Sequence, residues 1–180
     1  MSISIRLEGG ALAAAIGLTA CGGTSSGSAA TPTPEPTPYV ATDSGFSAIF
    51  PATPARSTQA INQAGINATL TLYQATTNAE QVAVAFEQLP VAPQGDAIQA
   101  SLDGGVVGSA KNVNGTVVSK SNAQFLGQPA EDAVIQAQAS VIRERIFFNG
   151  SKLYVLEGIT SSMDAKHSAY DKLLATFKTI

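Results

Sequence analysis

The sequence predicts an α+β domain in which a central, mainly antiparallel sheet is flanked by helices. Three observations carry this expectation. Apolar residues alternate with period two in some segments, as at 66–74, and recur with helical spacing in others, as at 164–178. An Asn149-Gly150 pair joins two strand-like runs, and so short a link makes those strands antiparallel neighbours.

Taken in chain order, 45–50 reads as a short strand with Phe46, Ala48 and Phe50 on one face, stopped by Pro51. In 66–74, Ile66, Ala68, Leu70 and Leu72 face one way, and Asn67, Thr69, Thr71 and Tyr73 the other. Thr77-Asn-Ala-Glu80 has the spacing of a capping box, which predicts a helix with Val82, Ala85, Phe86 and Leu89 as its apolar stripe and Pro90 as its stop. A second helix is expected from Asp96, with Gln99 in the reciprocal capping position and Ile98, Leu102 and Val106 on one side; Gly104 and Gly105 blur its end.

Residues 116–125 and 130–139 read as two strands around the turn Leu126-Gly-Gln-Pro-Ala130. The runs 141–148 and 151–160 pair through a type I′ turn at Asn149-Gly150. That register sets Ile146 opposite Leu153, Arg145 opposite Tyr154 and Glu144 opposite Val155. A closing helix over 164–178 buries Tyr170, Leu173, Leu174 and Phe177, with Lys172 and Lys178 near the negative end of its dipole.

The chain has 180 residues, 44% hydrophobic and 13% charged, with 10 basic against 13 acidic side chains. A net charge of −3 excludes a nucleic-acid binder that works through a dense basic surface. One Cys and one His exclude an internal disulfide and a His/Cys metal cluster.

The first 20 residues read as an address. Arg6 precedes an uncharged run over 9–20, whose twelve residues span about 18 Å as a helix, too short for a hydrocarbon core of roughly 30 Å. Leu18-Thr19-Ala20-Cys21 resembles the lipobox of bacterial lipoproteins. The resemblance implies cleavage between Ala20 and Cys21 and a diacylglyceryl thioether on the Cys21 sulfur. More than one acyl chain on that Cys gives stable attachment to a bacterial membrane, facing outside the cytoplasm. Residues 22–40 hold 3 Gly, 3 Ser, 4 Thr and 4 Pro, a composition that cannot supply a core, so 21–40 reads as a lipidated tether. A single globular domain then fills 41–180.

Four segments of that domain resemble the PsbP/Mog1-type domain: Gly45-Phe-Ser-Ala-Ile-Phe-Pro51, Gly127-Gln-Pro-Ala-Glu131, the Arg145 hairpin running into Lys152-Leu-Tyr-Val-Leu156, and the closing helix ending in Phe177. The resemblance covers about 43–180. It implies an α/β/α sandwich and a mostly non-catalytic family: photosystem II extrinsic subunits, assembly factors, a small-GTPase regulator and many bacterial lipoproteins. This chain lacks the His-bearing metal positions of some photosynthetic members. Fold membership alone assigns no function.

Little chemistry is visible. His167, with Asp164 three residues before and Asp171 four after, has the spacing of a helical dyad, to which Ser161 or Ser168 could add a nucleophile; loose surface pairing is the plainer account. Glu144 and Glu157 fall diagonally on one face of the hairpin, the minimum for a paired-acid mechanism, but no insertion builds a cleft. Glu131-Asp132 beside a turn lacks the closely spaced acids of a calcium loop. Gly104-Gly-Val-Val-Gly108 follows a helical pattern and has no Lys-Ser/Thr after it, unlike a phosphate loop. Asn67, Asn114 and Asn149 begin glycosylation-type triplets, which a bacterial lipobox leaves unused. Arg143, Arg145 and Tyr154 share one hairpin face and form the expected partner-contact patch.

No cofactor, metal or nucleic acid is expected. The sequence favours a non-catalytic interaction or scaffold module that binds an envelope protein. A carrier of a lipid or small apolar molecule, seated against the small-residue stretch 97–110, is the alternative; a hydrolase using His167 comes third.

Overall fold

In the computed structural model, which describes residues 37–63 and 66–180, the chain runs through β1 (Tyr39–Ala41), β2 (Phe46–Ala48), β3 (Ala55–Gln63), β4 (Ile66–Thr76) and β5 (Gln81–Gln88). Helix α1 (Asp96–Asn112) follows, then β6 (Thr116–Phe125), β7 (Gln128–Gln136), β8 (Val141–Asn149), β9 (Lys152–Thr160), α2 (Ser168–Thr176) and β10 (Lys178–Thr179). Strands β3-β4-β5-β9-β8-β7-β6 make a seven-stranded sheet, antiparallel at every pairing, and β1-β2-β10 make a small second sheet. The α+β class is as the sequence predicts, with one helix on each side of the large sheet. Residues 1–36, including Ala20, Cys21 and most of the tether, lie outside the described residues. Strand β1 takes in Tyr39 and Val40, at the end of the segment read as tether.

One face of the large sheet carries the aromatic core. Tyr73, Val84, Phe147, Tyr154 and Leu156 meet Phe46, Ala48 and Phe50 of the small sheet's side, and Leu173 and Phe177 at the end of α2. Phe46 stacks on Phe177 at 5.2 Å between centroids, and Phe147 on Tyr154 at 5.2 Å. Burying side chains of this size contributes about 1.5–3 kcal/mol each. On the opposite face α1 lays Leu102 and Val106 against Ala133, Ile146 and Val155, while Ala110 packs with Ile135 and Ile142.

Four sequence expectations are corrected. The helix expected after Thr77 is strand β5. The Thr77 hydroxyl accepts the amides of Ala79 (3.3 Å) and Glu80 (3.0 Å), as in a capping box, but the Thr77 amide donates to the Glu80 carbonyl at 2.8 Å and closes a β4–β5 hairpin. Strand β5 is central and buried on both faces, so its apolar run has no period-two signature. Helix α1 does begin at Asp96 and runs through Gly104 and Gly105. Its cap is Gly95, at φ 56 and with no side-chain cap bond; Gln99 instead donates to Asp103 and Asn122 at 3.4 Å.

The β8–β9 turn is centred on Gly150-Ser151. Asn149 remains in the strand opposite Lys152, and only Gly150 has positive φ, which fits a type II′ turn better than type I′. The pairing is therefore displaced by two residues, which keeps every side chain on its expected face. Helix α2 is confined to 168–176: Phe177 is already extended, and Lys178 belongs to β10 in contact register with Ser47. The polar strand β3, opposite β4, has no expected counterpart in the sequence reading.

Candidate functional site

On the α2 side, the sheet turns a partly open face to solvent across β6, β7 and β8. Register places Ser121, Asp132 and Arg145 side by side there, with Val134 and Arg143 in the next rung. Arg145 is half-buried. Its Nε and one terminal nitrogen donate to the two Asp132 carboxylate oxygens at 2.6 and 2.7 Å, and its guanidinium lies 4.9 Å from the Phe125 ring centroid. A planar fork held at both ends is fixed in orientation. Arg143 is exposed beside it. Tyr154 lies on the same face but is fully buried, stacked on Phe147 and donating from its hydroxyl to the Ser44 and Gly45 carbonyls at 2.8 and 3.2 Å. Burial pushes its hydroxyl up to about 12. The structure thus brings Arg143 and Arg145 together at the surface and places Tyr154 beneath, in the core.

His167 is 2% exposed and precedes α2 rather than sitting within it. Asp164 is outside the helix, and neither Ser161 nor Ser168 meets the ring. Its Nε2 is 3.2 Å from the Thr160 hydroxyl and its Nδ1 is 3.6 Å from a Glu80 oxygen. Hydroxyl, imidazole and carboxylate in that order have the outline of a nucleophile relay. All three are buried, however; the Thr160 hydroxyl also donates to the Ser162 carbonyl at 3.1 Å, and the Glu80 carboxylate accepts the amides of Ala169 (2.8 Å) and Tyr170 (3.1 Å). Burial, then the charge of Arg143, pulls the imidazole below its ordinary value, so it is neutral at pH 7. The cluster anchors the start of α2 and presents no reactive atom to solvent. Thr160 and Glu80 were missed in the sequence because they reach His167 only through the fold.

The carboxyl pair predicted as diagonal is directly opposed: Glu144 and Glu157 are Cα partners across β8–β9, on the α1 side. Glu144 is 1% and Glu157 6% exposed. Burial, then Glu157, holds the Glu144 carboxyl well above the ordinary range, and burial alone raises Glu157 to about 7. Glu131 is a buried strand residue and not part of a solvated turn, and Asp132 faces the other way to Arg145. Among the described residues, no group of three or more His, Cys, Asp or Glu side chains is placed to hold a metal ion. Gly104 to Gly108 lie inside α1. A Cβ at Gly105 would come to 3.0 Å from Ile146 Cδ1, so Gly105 allows α1 to pack closely on β8 there. Among the described residues no helix is long and apolar enough to cross a membrane.

No family model matches the chain, and no curated protein does. Among solved structures, the solution structure of cyanobacterial PsbP (CyanoP) from Synechocystis sp. PCC 6803 superposes with a TM-score of 0.55 at 13% identity, covering 80% of this chain and 92% of that one. A Pseudomonas aeruginosa protein of unknown function, described as a putative regulator, gives a TM-score of 0.36 at 13% identity over 59% of this chain and 85% of its own. The fold of this chain resembles the PsbP/Mog1-like domain.

Proposed function

We propose that the chain is a lipid-anchored, extracytoplasmic envelope protein whose domain acts as a non-catalytic interaction or scaffold module. The observation that carries the interaction reading is the open β6–β8 face, where the fork of Arg145 is held rigid by Asp132 and Phe125 beside the exposed Arg143. A preorganised Arg surface loses little side-chain freedom when a partner covers it, and such surfaces commonly anchor interfaces. The partner that suits it is an envelope protein presenting carboxylates. A hydrolase has no support in the sealed Thr160-His167-Glu80 cluster, and a carrier has none where Ile146 fills the space at Gly105.

The anchor rests on Leu18 to Cys21 and on the spacer behind them. It is tested by feeding growing cells an alkyne-bearing fatty acid and fractionating them. The expected result is membrane-bound, labelled wild type and unlabelled Cys21→Ala. Label that persists in Cys21→Ala contradicts this anchor.

A further inference from the structure

Helix α1 is intrinsically weak. It holds three Gly within its 17 residues, and Gly in a helix interior costs about 1 kcal/mol relative to Ala. It is attached to the sheet by Leu102, Val106 and Ala110 with Ile98 at their edge, by the Gln99 bond to Asn122, and by one charged link in which Lys120 of β6 meets Asp103 of α1 and, at 3.1 Å, Glu131 of β7. Beneath it lies Glu144, acted on by Ser109 of α1 and directly opposed across β8–β9 by Glu157. Neither Glu144 oxygen has a hydrogen-bond partner. Neither does either Glu131 oxygen, so the Lys120–Glu131 approach is an ion-pair contact without hydrogen-bond alignment.

The groups acting on this pair are Glu131 from β7 and Ser109 from α1; Lys120 from β6 and Asp103 from α1 gather at Glu131, Glu87 of β5 lies on the same face but opposite Leu153, four residues along β9 from Glu157, and Lys111, in the last turn of α1, is exposed. The Ser109 hydroxyl acts to lower the Glu144 carboxyl without reaching hydrogen-bond geometry, and the charge of Glu131 acts to raise it. Lys120, the cation of this set, is engaged by Asp103 and Glu131. Two carboxylates facing each other, one of them sealed without a hydrogen-bond partner, cannot both ionise without drawing in water or a counter-charge. The cover that can move to admit water is α1.

We propose that α1 is a pH-operated latch: the Glu144–Glu157 pair carries protons while the helix lies closed on the sheet, and losing them loosens α1 from β7 and β8. The device lies on the sheet face opposite the Arg patch and is independent of what that patch binds. Strand β4, which lies inside the sheet between β3 and β5 and carries none of these titrating groups, serves as the internal reference.

The test is hydrogen exchange on the full chain at about pH 5.5 and about pH 8.5, corrected for intrinsic exchange, with α1 protection expressed relative to β4. The expected result is a relative loss of α1 protection of at least about tenfold at the higher pH, absent in Glu144→Gln/Glu157→Gln. A constant ratio in wild type overturns the proposal, as does an equal loss in the double variant. Should that variant not fold, the wild-type ratio decides, with Glu157→Gln as the second variant and a smaller loss expected.

Discussion

Glu80, on the β4–β5 turn, caps helix α2 from 89 residues away: its carboxylate accepts the Ala169 amide at 2.8 Å. A second bond, from the Tyr170 amide at 3.1 Å, satisfies another free donor at the helix start, and the negative charge complements the helix dipole. This joins the sheet's central hairpin to α2 and places His167 between them. Glu80→Ala should lower stability by about 2–3 kcal/mol, because buried amides lose their acceptor. Glu80→Gln, which keeps one oxygen acceptor, should cost less. Urea unfolding midpoints check the order; equal losses for the two would contradict a capping role.

Gly158 is where α2 touches β9. A Cβ there would lie 2.5 Å from Tyr170 Cβ, an atom fixed to the helix backbone that cannot swing aside. Gly158→Ala is therefore expected to destabilise by about 1–3 kcal/mol through overpacking. A thermal midpoint equal to wild type would show that the helix shifts freely.

Much of this was legible in the sequence, and the failures have physical causes. Residues 66–74 alternate apolar with polar and Asn149-Gly150 announces a tight link, so β4, β8 and β9 are readable although β9 is buried on both faces. Strand β5 meets protein on both sides, so Val82 to Phe86 fit a helical stripe equally well, and Thr77 makes the same local bonds at a hairpin turn as at a helix start. Asn149-Gly150 correctly announced a hairpin, but not which residues would be central. That two-residue displacement kept Arg143, Arg145 and Tyr154 on one face while changing Glu144 and Glu157 from diagonal to opposed. Burial of Tyr154, and the meeting of Glu80, Thr160 and His167, depend on long-range packing that local patterns do not encode.

The two arginines should separate stability from binding. Arg145→Ala frees Asp132 and uncovers Phe125, and should cost about 1 kcal/mol, mostly from lost packing because the pair is partly solvated. Arg143→Glu, at an exposed position, should change stability by no more than about 0.5 kcal/mol while weakening partner binding. Chemical denaturation and partner titration together check this; a large stability loss in Arg143→Glu would contradict its place at the surface.

Glu157 and His167 bend the pH–stability profile in opposite directions. Glu157 rises from 4.5 to about 7 on folding, so its stabilising effect is full below about pH 4.5 and is lost as pH rises through about 7. His167 is lowered on folding, so its effect is full above about 6.5 and is lost as pH falls through its folded value. Glu157→Gln removes only the first. Its stability relative to wild type should therefore increase with pH across this window, by up to about 3 kcal/mol. Unfolding measured at several pH values in both proteins checks it, and a pH-independent difference would contradict the assignment.

Native mass spectrometry of the protein gently solubilised from its own membrane tests the central claim most directly. The account predicts a chain beginning at Cys21 with added acyl mass, accompanied by a protein-sized adduct that Arg143→Glu diminishes. An unmodified full chain, or a small constant adduct in place of a protein, would contradict it.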